Sequence, residues 1–350
     1  MTLHGGDIYS KEIEHDFSVN LNPMGVPDCI VSAIDDSLKL LVNYPDILHR
    51  KLKKAIAAYH GIDPRCVVCG NGASELISAV FSRIIRGNVL IPMPSYDGYR
   101  YAAMSKNVAI TYHLLDVKHD FTINEDIIDC IEKIGGSAVI IVNPNNPTGK
   151  LISPSLLENI ISYCKEYEKP VLVDESYIEL TDEGEKNSCI NLMDKYDNLM
   201  IIRSFTKAYS MPGIRLGYLM CSNTKTCDMI NYMLPEWNIS TIAEYAGIAC
   251  LKETSYLDKG RDILRTERPY LKKGLSELGM KVMDSDTCFL LFSSDINLDE
   301  LLLKEKILIR SLNELNGLKG LGGYFRIGIK KREENDILLN TIKHVLENRG

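Results

Sequence analysis

Nowhere in the 350-residue chain do about eighteen apolar residues follow one another, so no membrane-spanning helix is predicted. Residues 1–17 carry no apolar core of the secretory kind, and a cytoplasmic protein is expected. Long basic runs are missing too. Lys51-Leu52-Lys53-Lys54 and Lys330-Lys331-Arg332 read as solvated faces, and a net charge of −7 argues against nucleic-acid binding. The ten cysteines contain one C-x-x-C, Cys66-Val67-Val68-Cys69, with no second pair and no histidine at ligand spacing. The seven histidines form no H-x-x-x-H, so no metal site is expected, and the cysteines read as reduced core residues. A G-K-[ST] phosphate loop is absent. The glycine turn at Gly70-Asn71-Gly72 has Glu75 where a dinucleotide fingerprint needs its last glycine. Repeats, low-complexity tracts and flexible linkers are lacking as well.

What is present is ordinary globular composition, 45% hydrophobic and 25% charged, in a chain long enough for two domains. Residues 1–25 are polar and rich in Asn and Gly, which suits a turn-rich segment crossing a surface or entering a cleft. Apolar spacing predicts helices over 27–41 and 48–59, with Gly61 as a stop. Strands and helices then alternate. Strands are predicted at 66–69, 88–92, 108–115, 138–142, 171–174, 199–202 and 215–220, with helices at 73–85, 96–104 and 154–167. That order describes an α/β protein with a largely parallel sheet covered on both faces, whose ligands gather at the carboxyl ends of the strands. Beyond about Asn223 the pattern changes to helices over 224–234, 240–252 and 256–278, two short strands at 288–292 and 325–329, and a last helix at 332–346. This reads as a smaller α+β domain.

Several chemistry-bearing residues fall at the predicted strand ends. Lys207 follows the polar loop Arg203-Ser204-Phe205-Thr206. A neutral amine there is suited to imine formation with an aldehyde, and Arg203 and Arg215 nearby would lower its pKa toward that state. Taken alone, a lysine is more often an ordinary surface residue. Ser204 and Arg215 are suited to holding a phosphate. Gly70-Asn71-Gly72-Ala73-Ser74 joins a strand to a helix, where backbone N–H groups face an anion, although such a turn is also common packing. Asp174 ends an apolar strand and needs a partner if buried; a helix cap is the alternative. Asn146 is either a ligand group or turn chemistry.

Five motifs bind these pieces together: N-P-N-N-P-T-G (143–149), D-E-S-Y (174–177), S-F-T-K (204–207), G-I-R-L-G-Y (213–218) and F-R-I-G (325–328). In this order, over nearly the whole chain, they resemble the class I/II aminotransferases, which are fold-type I pyridoxal 5'-phosphate enzymes. The resemblance implies a large domain (46–255) with a mostly parallel sheet flanked by helices and a small α+β domain (256–350). An N-terminal segment (1–45) would pack on the small domain and on a partner subunit. It also implies that Lys207 holds the cofactor as an imine and moves the proton at the substrate's Cα. Asp174 would pair with the ring nitrogen, and Asn146 and Tyr177 would bond the phenolate oxygen. The phosphate would lie on Gly72, Ala73 and Ser74, with Ser204, Thr206 and Arg215 around it. Tyr96 would stack on the ring, and Arg326 would clamp a substrate carboxylate. Tyr44 would reach the phosphate of the neighbouring subunit, which implies a homodimer with shared sites.

Within the family, the chain is similar to the histidinol-phosphate aminotransferase branch and to the related threonine-phosphate decarboxylases. H-G-G (4–6), N-L-N-P-M-G (20–25) and I-L-I-R-S (307–311) are decarboxylase-like, and they nominate His4, Asn22 and Arg310 for substrate binding. The first expectation is an aminotransferase for an L-amino acid or a phosphorylated amino compound. A threonine-phosphate-type decarboxylase is second. A regulator that binds the cofactor without catalysis is a remote third, because such proteins carry an added DNA-binding domain.

Overall fold

The computed structural model describes residues 5–133 and 138–348. A short strand, β1 (His15–Asp16), precedes helices α1 (Asp28–Leu38) and α2 (Arg50–His60). The alternating region runs β2 (Val67–Gly70), α3 (Ala73–Arg83), β3 (Asn88–Met93), α4 (Gly98–Ser105), β4 (Ala109–Leu114), α5 (Asp126–Lys133), β5 (Ala138–Val142), α6 (Pro154–Glu166) and β6 (Val171–Asp174). It closes with β7 (Leu199–Ser204), the single turn α7 (Phe205–Ala208) and β8 (Gly217–Met220). Helices α8 (Thr224–Asn231), α9 (Thr241–Cys250) and α10 (Thr254–Glu277) follow. The chain then passes through β9 (Lys281–Val282), β10 (Phe289–Ser294), α11 (Leu298–Lys304), β11 (Ile307–Leu308), β12 (Arg310–Ser311) and β13 (Gly323–Gly328) to α12 (Arg332–Glu347).

The central sheet has seven strands in the order β2-β8-β7-β6-β5-β3-β4. Its strands run parallel except β8, which is antiparallel to both neighbours. The inner strands β5, β6 and β7 are buried along their whole lengths, as their near-continuous apolar runs require with helices on both faces. One hydrophobic cluster fills both sides of this sheet. A second gathers Phe17, Leu264, Leu271, Phe289, Phe292, Phe325, Leu338 and Ile342 around a four-stranded antiparallel sheet, β12-β13-β10-β9. The N-terminal segment pairs β1 with β11 in parallel, and fully buried Phe17 anchors it in the second cluster.

Most elements lie within a few residues of their sequence-predicted bounds, and the differences have local causes. The polar stretch read as a loop before Lys207 is instead the end of β7 followed by α7. Ser204 caps that turn by accepting a hydrogen bond from the Thr206 N–H at 3.3 Å. Helices α5 and α11 and the short strands β1, β9, β11 and β12 were not anticipated. α5 did carry a signal, because its buried Ile127 and Ile131 stand four residues apart on one face. The two-residue strands are held by tertiary pairing and have no period to read.

Candidate active site

At the carboxyl ends of the central strands lies a cleft of about 250 Å³. The β2–α3 turn supplies one wall. Gly72 caps α3 with φ +78°, and a Cβ added there would lie 2.5 Å from an Arg215 guanidinium nitrogen. Only glycine therefore lets the guanidinium sit over the first turn of α3. Gly217 does the same from β8, where a Cβ would stand 2.7 Å from the Ala73 nitrogen. Glu75 braces the turn by accepting from the Asn71 N–H at 2.7 Å and from Asn238 Nδ2 at 2.6 Å. Ala73, Ser74, Ser204, Thr206 and Arg215 all line the cleft. Helix N–H groups, hydroxyls and one guanidinium thus converge as a cradle for a phosphate-sized anion.

Lys207 also lines the cleft, from α7. Burial, helped by the nearby Arg326 and Arg215 guanidinium charges, lowers its amine to about 8. Arg203 plays no part in this. It faces away from Lys207 into a buried cluster with Glu175, Glu179 and Glu185, which corrects the expectation that it acts on the lysine. Asp174, at the end of β6, accepts hydrogen bonds from the Ser176 N–H at 2.9 Å and from the Tyr99 hydroxyl. Tyr96 lines the cleft, its ring edge-on to Tyr99 at 5.6 Å. Tyr177 accepts from Asn20 Nδ2 at 3.3 Å, and burial holds its phenol far above the ordinary range, so it remains a proton donor.

Arg326 of β13 donates to Asn146 Oδ1 at 2.6 Å and to the Ser18 carbonyl at 2.8 Å, leaving Asn146 Nδ2 for a ligand. Arg310 of β12 stands opposite Arg326 in register and lines the same cleft. Burial and the Arg326 charge lower Arg310 to about 10. Among the described residues, the Asn20 Oδ1, Ser95 Oγ and Arg326 Nε atoms on this cleft are buried without hydrogen-bond partners, as in a pocket shaped for a polar ligand.

Two nominated residues lie elsewhere. Asn22 does not line the cleft; its Nδ2 donates to the Ala208 carbonyl at 3.0 Å and its backbone N–H to the Lys207 carbonyl, so it pins the N-terminal segment behind α7. Tyr44 is 81% exposed and packs at a tilt against Trp237, ring centroids 4.8 Å apart, and does not line the cleft. His4 lies outside the described residues. Sequence reasoning missed Ser18, Asn20, Ser95 and Tyr99. Of these, Asn20 and Tyr99 carried signals: Asn20 opens the N-L-N-P-M-G motif, and Tyr99 stands three residues after Tyr96 and so on the same side of a helical turn.

Residues 12–342 match the model of the family described as aminotransferase class I and II. The chain belongs to that family. A histidinol-phosphate aminotransferase from Clostridium acetobutylicum, known as a crystal structure, is 34% identical, with a TM-score of 0.88 and coverage of 96% of this chain and 100% of that one. A Caldanaerobacter subterraneus subsp. tengcongensis protein, provisionally assigned as a threonine-phosphate decarboxylase, is 34% identical over 98% of this chain and 94% of its own length. Histidinol-phosphate aminotransferase 2 of Archaeoglobus fulgidus is 31% identical over 97% and 95%. The chain is thus similar to enzymes of both reaction types.

The family cofactor, pyridoxal 5'-phosphate, fits the residues present. The Gly72–Arg215 cradle suits its phosphate, the Lys207 amine its aldehyde, the Asp174 carboxylate its ring nitrogen, and the Asn146 Nδ2 and Tyr177 hydroxyl its phenolic oxygen. When bound, it supplies an electron sink for the bond broken at the substrate's Cα. The protein holds the groups around it. Fully buried Tyr99 keeps the Asp174 carboxylate oriented, and Lys207 on the same cleft carries an amine lowered toward its neutral form, which would suit it to hold or move a proton there.

Proposed function

We propose that this chain is a pyridoxal-phosphate-dependent aminotransferase acting on a phosphorylated amino compound of the histidinol-phosphate kind. The observation that carries the substrate class is the Arg310–Arg326 pair. Two guanidinium groups face each other across β12 and β13 on the cleft of Lys207; Arg326 is held by Asn146 and the Ser18 carbonyl, and the Asp97 carboxylate on the same cleft offsets part of the Arg310 charge. Like charges held together in a partly buried site repel, and an anionic group brought beside them relieves that cost, whether the single phosphate of a histidinol-phosphate-type compound or the carboxylates of an amino donor. An amino donor such as glutamate and a phosphorylated partner would use the same pair in turn.

A second reading, decarboxylation of a threonine-phosphate-type substrate, draws support from the N-terminal segment. Gly5 lines the cleft, and the Gly6 N–H donates to Ser18 Oγ at 2.7 Å, which keeps this segment beside Arg310 and Arg326. Both reactions need the same lysine and the same electron sink; they differ in which bond at Cα stands perpendicular to the ring. The purified holoenzyme is therefore mixed with histidinol phosphate, glutamate and threonine phosphate in turn under single-turnover conditions. A keto product from histidinol phosphate, or 2-oxoglutarate from glutamate, is expected. Carbon dioxide from threonine phosphate without a keto acid would replace the first reading by the second.

The protein is further proposed to work as a homodimer with shared sites, built from an N-terminal arm (1–45), a large domain (46–255) and a small domain (256–350). Support comes from an apolar surface formed by Leu38, Leu41, Val42, Tyr44 and Trp237, with Val42 89% exposed, which is unusual for a face meeting only water.

A further inference from the structure

Behind the cleft, on the opposite face of the sheet, the side chain of Arg203 is wholly buried. Its guanidinium uses every donor it has. Nε donates to Glu175 Oε2 at 2.9 Å. Nη1 donates to Glu179 Oε1 at 3.0 Å and to Glu185 Oε1 at 2.9 Å. Nη2 donates to Glu185 Oε2 at 3.0 Å and to Ser188 Oγ at 2.8 Å. Five N–H groups in one plane are a demand that only arginine meets, since lysine offers three donors on a tetrahedral head. Ser188 Oγ and the Cys189 N–H complete the shell by donating to Glu175 at 2.8 and 2.7 Å.

The placement of the acceptors along the chain gives this cluster its meaning. Glu175 directly follows Asp174 at the end of β6, Glu179 comes two residues after Tyr177, and Arg203 directly precedes Ser204 on β7. Side chains alternate between faces along a strand, so the residues on either side of this boundary divide. Asp174 and Ser204 turn to the cleft, and Glu175 and Arg203 meet behind it. One guanidinium thereby joins the strand end carrying Asp174, the turn carrying Tyr177 and the turn carrying Lys207. A buried ion cluster is a poor choice for stability alone, because apolar residues of similar volume serve as well or better. Its gain is a fixed geometry.

We propose that Arg203 is a positioning residue, which from the back of the sheet fixes the spacing between Asp174 and Tyr177 on one side and Ser204 and Lys207 on the other. The proposal rests on the reading of those four residues as the pyridoxal-phosphate site.

The test compares Arg203→Lys, Glu175→Gln and Glu179→Gln with Glu267→Gln. Glu267 is similarly buried and bonded to Arg332 and Asn335, but it lies between α10 and α12, away from the cleft. Three quantities are measured: the dissociation constant of pyridoxal phosphate from titration of the apoprotein, kcat and KM of the loaded enzyme, and the thermal midpoint. Arg203→Lys is expected to bind the cofactor more weakly and to lose roughly tenfold to a hundredfold in kcat at little change in KM, as displacement of reacting groups by about 1 Å does. Glu175→Gln and Glu179→Gln shift the same quantities in the same direction by less. Glu267→Gln lowers the midpoint and leaves cofactor affinity and kcat alone. If the three cluster variants lose only thermal stability, with kcat per loaded site and cofactor affinity within about twofold of the parent, Arg203 is a structural residue and the proposal fails. Should Arg203→Lys not fold, the two glutamine variants decide by the same criterion. A parent that takes up no pyridoxal phosphate overturns the functional reading itself, an outcome distinct from unaffected variants.

Discussion

Tyr99 donates its phenolic proton to Oδ2 of Asp174 across 75 residues of sequence, and both side chains lie inside the protein. Burial, followed by the Asp174 charge, holds the phenol far above its ordinary range, so it stays a neutral donor at any physiological pH. A carboxylate given a fixed donor on one oxygen and the Ser176 N–H on the other keeps its orientation without a counter-charge. Tyr99→Phe removes one charge-assisted hydrogen bond, worth roughly 1.5–3 kcal/mol. Weaker retention of pyridoxal phosphate and a kcat lower by about tenfold are expected, measured by apoprotein titration and steady-state kinetics. Unchanged values would mean that Ser176 alone suffices to hold Asp174.

Lys207 makes the apoprotein pH-sensitive. Its folded-state amine titrates at about 8, below the unfolded value of about 10.4. Between those values the unfolded chain binds the extra proton, so the Lys207 contribution to apoprotein stability rises with pH through that window, against the opposite contribution of buried thiols such as Cys69 and Cys288, which burial pushes up. Above it, both states hold a neutral amine. Capture of pyridoxal phosphate, which needs the neutral amine, should speed up as pH rises through about 8 and then level off. Lys207→Met should abolish turnover and make the thermal midpoint fall more steeply with pH between about 8 and 10 than in the parent. Identical pH slopes in parent and variant would show that the Lys207 amine is not lowered by the fold.

The two arginines on the cleft, proposed to meet the substrate, are separable. Arg310→Gln is expected to raise KM for a phosphorylated substrate by roughly tenfold to a hundredfold, the worth of a charge-assisted bond, while sparing an unphosphorylated amino acid. Arg326→Gln should raise KM for both, because it also frees Asn146 and the Ser18 carbonyl from their shared donor. Equal effects of Arg310→Gln on both substrates would remove the phosphate from that position.

The proposed sharing of sites between subunits has a complementation test. Subunits carrying Tyr44→Ala and Lys207→Ala, refolded together, should recover activity that neither has alone, since one site of each mixed dimer then combines an intact Lys207 with an intact Tyr44 of the partner. Leu41→Asp with Val42→Asp should yield monomers by sedimentation. Failure of the mixed dimer to recover activity would confine Tyr44 to a packing role against Trp237.

Legibility followed the range of the interactions. Apolar runs at Ala138–Val142 and Val171–Asp174 placed those strands at their observed bounds, because strands buried on both faces have only apolar choices. Motifs at strand ends pointed to Lys207, Asp174, Asn146 and Arg326, all of which line one cleft. Asn22, two residues from cleft-lining Asn20, was assigned to the substrate on its neighbours' pattern. Its amide instead bonds the Ala208 carbonyl, which no local spacing reveals.

The sequence alone determined the family, the alternating order of elements and the chemical kinds gathered at the strand ends, since motifs, periodicity and turn chemistry are properties of neighbours along the chain. Only the tertiary structure decided what each polar side chain meets. Adjacent residues on a strand face opposite ways, so Ser204 opens on the cleft while Arg203 is locked behind it by three glutamates, and strand order decides which face is which. Tyr99 reaches Asp174, and Arg310 faces Arg326, because separate segments cross at those points. Contacts of that kind are set by how sheets stack and register, and a linear pattern carries no record of them.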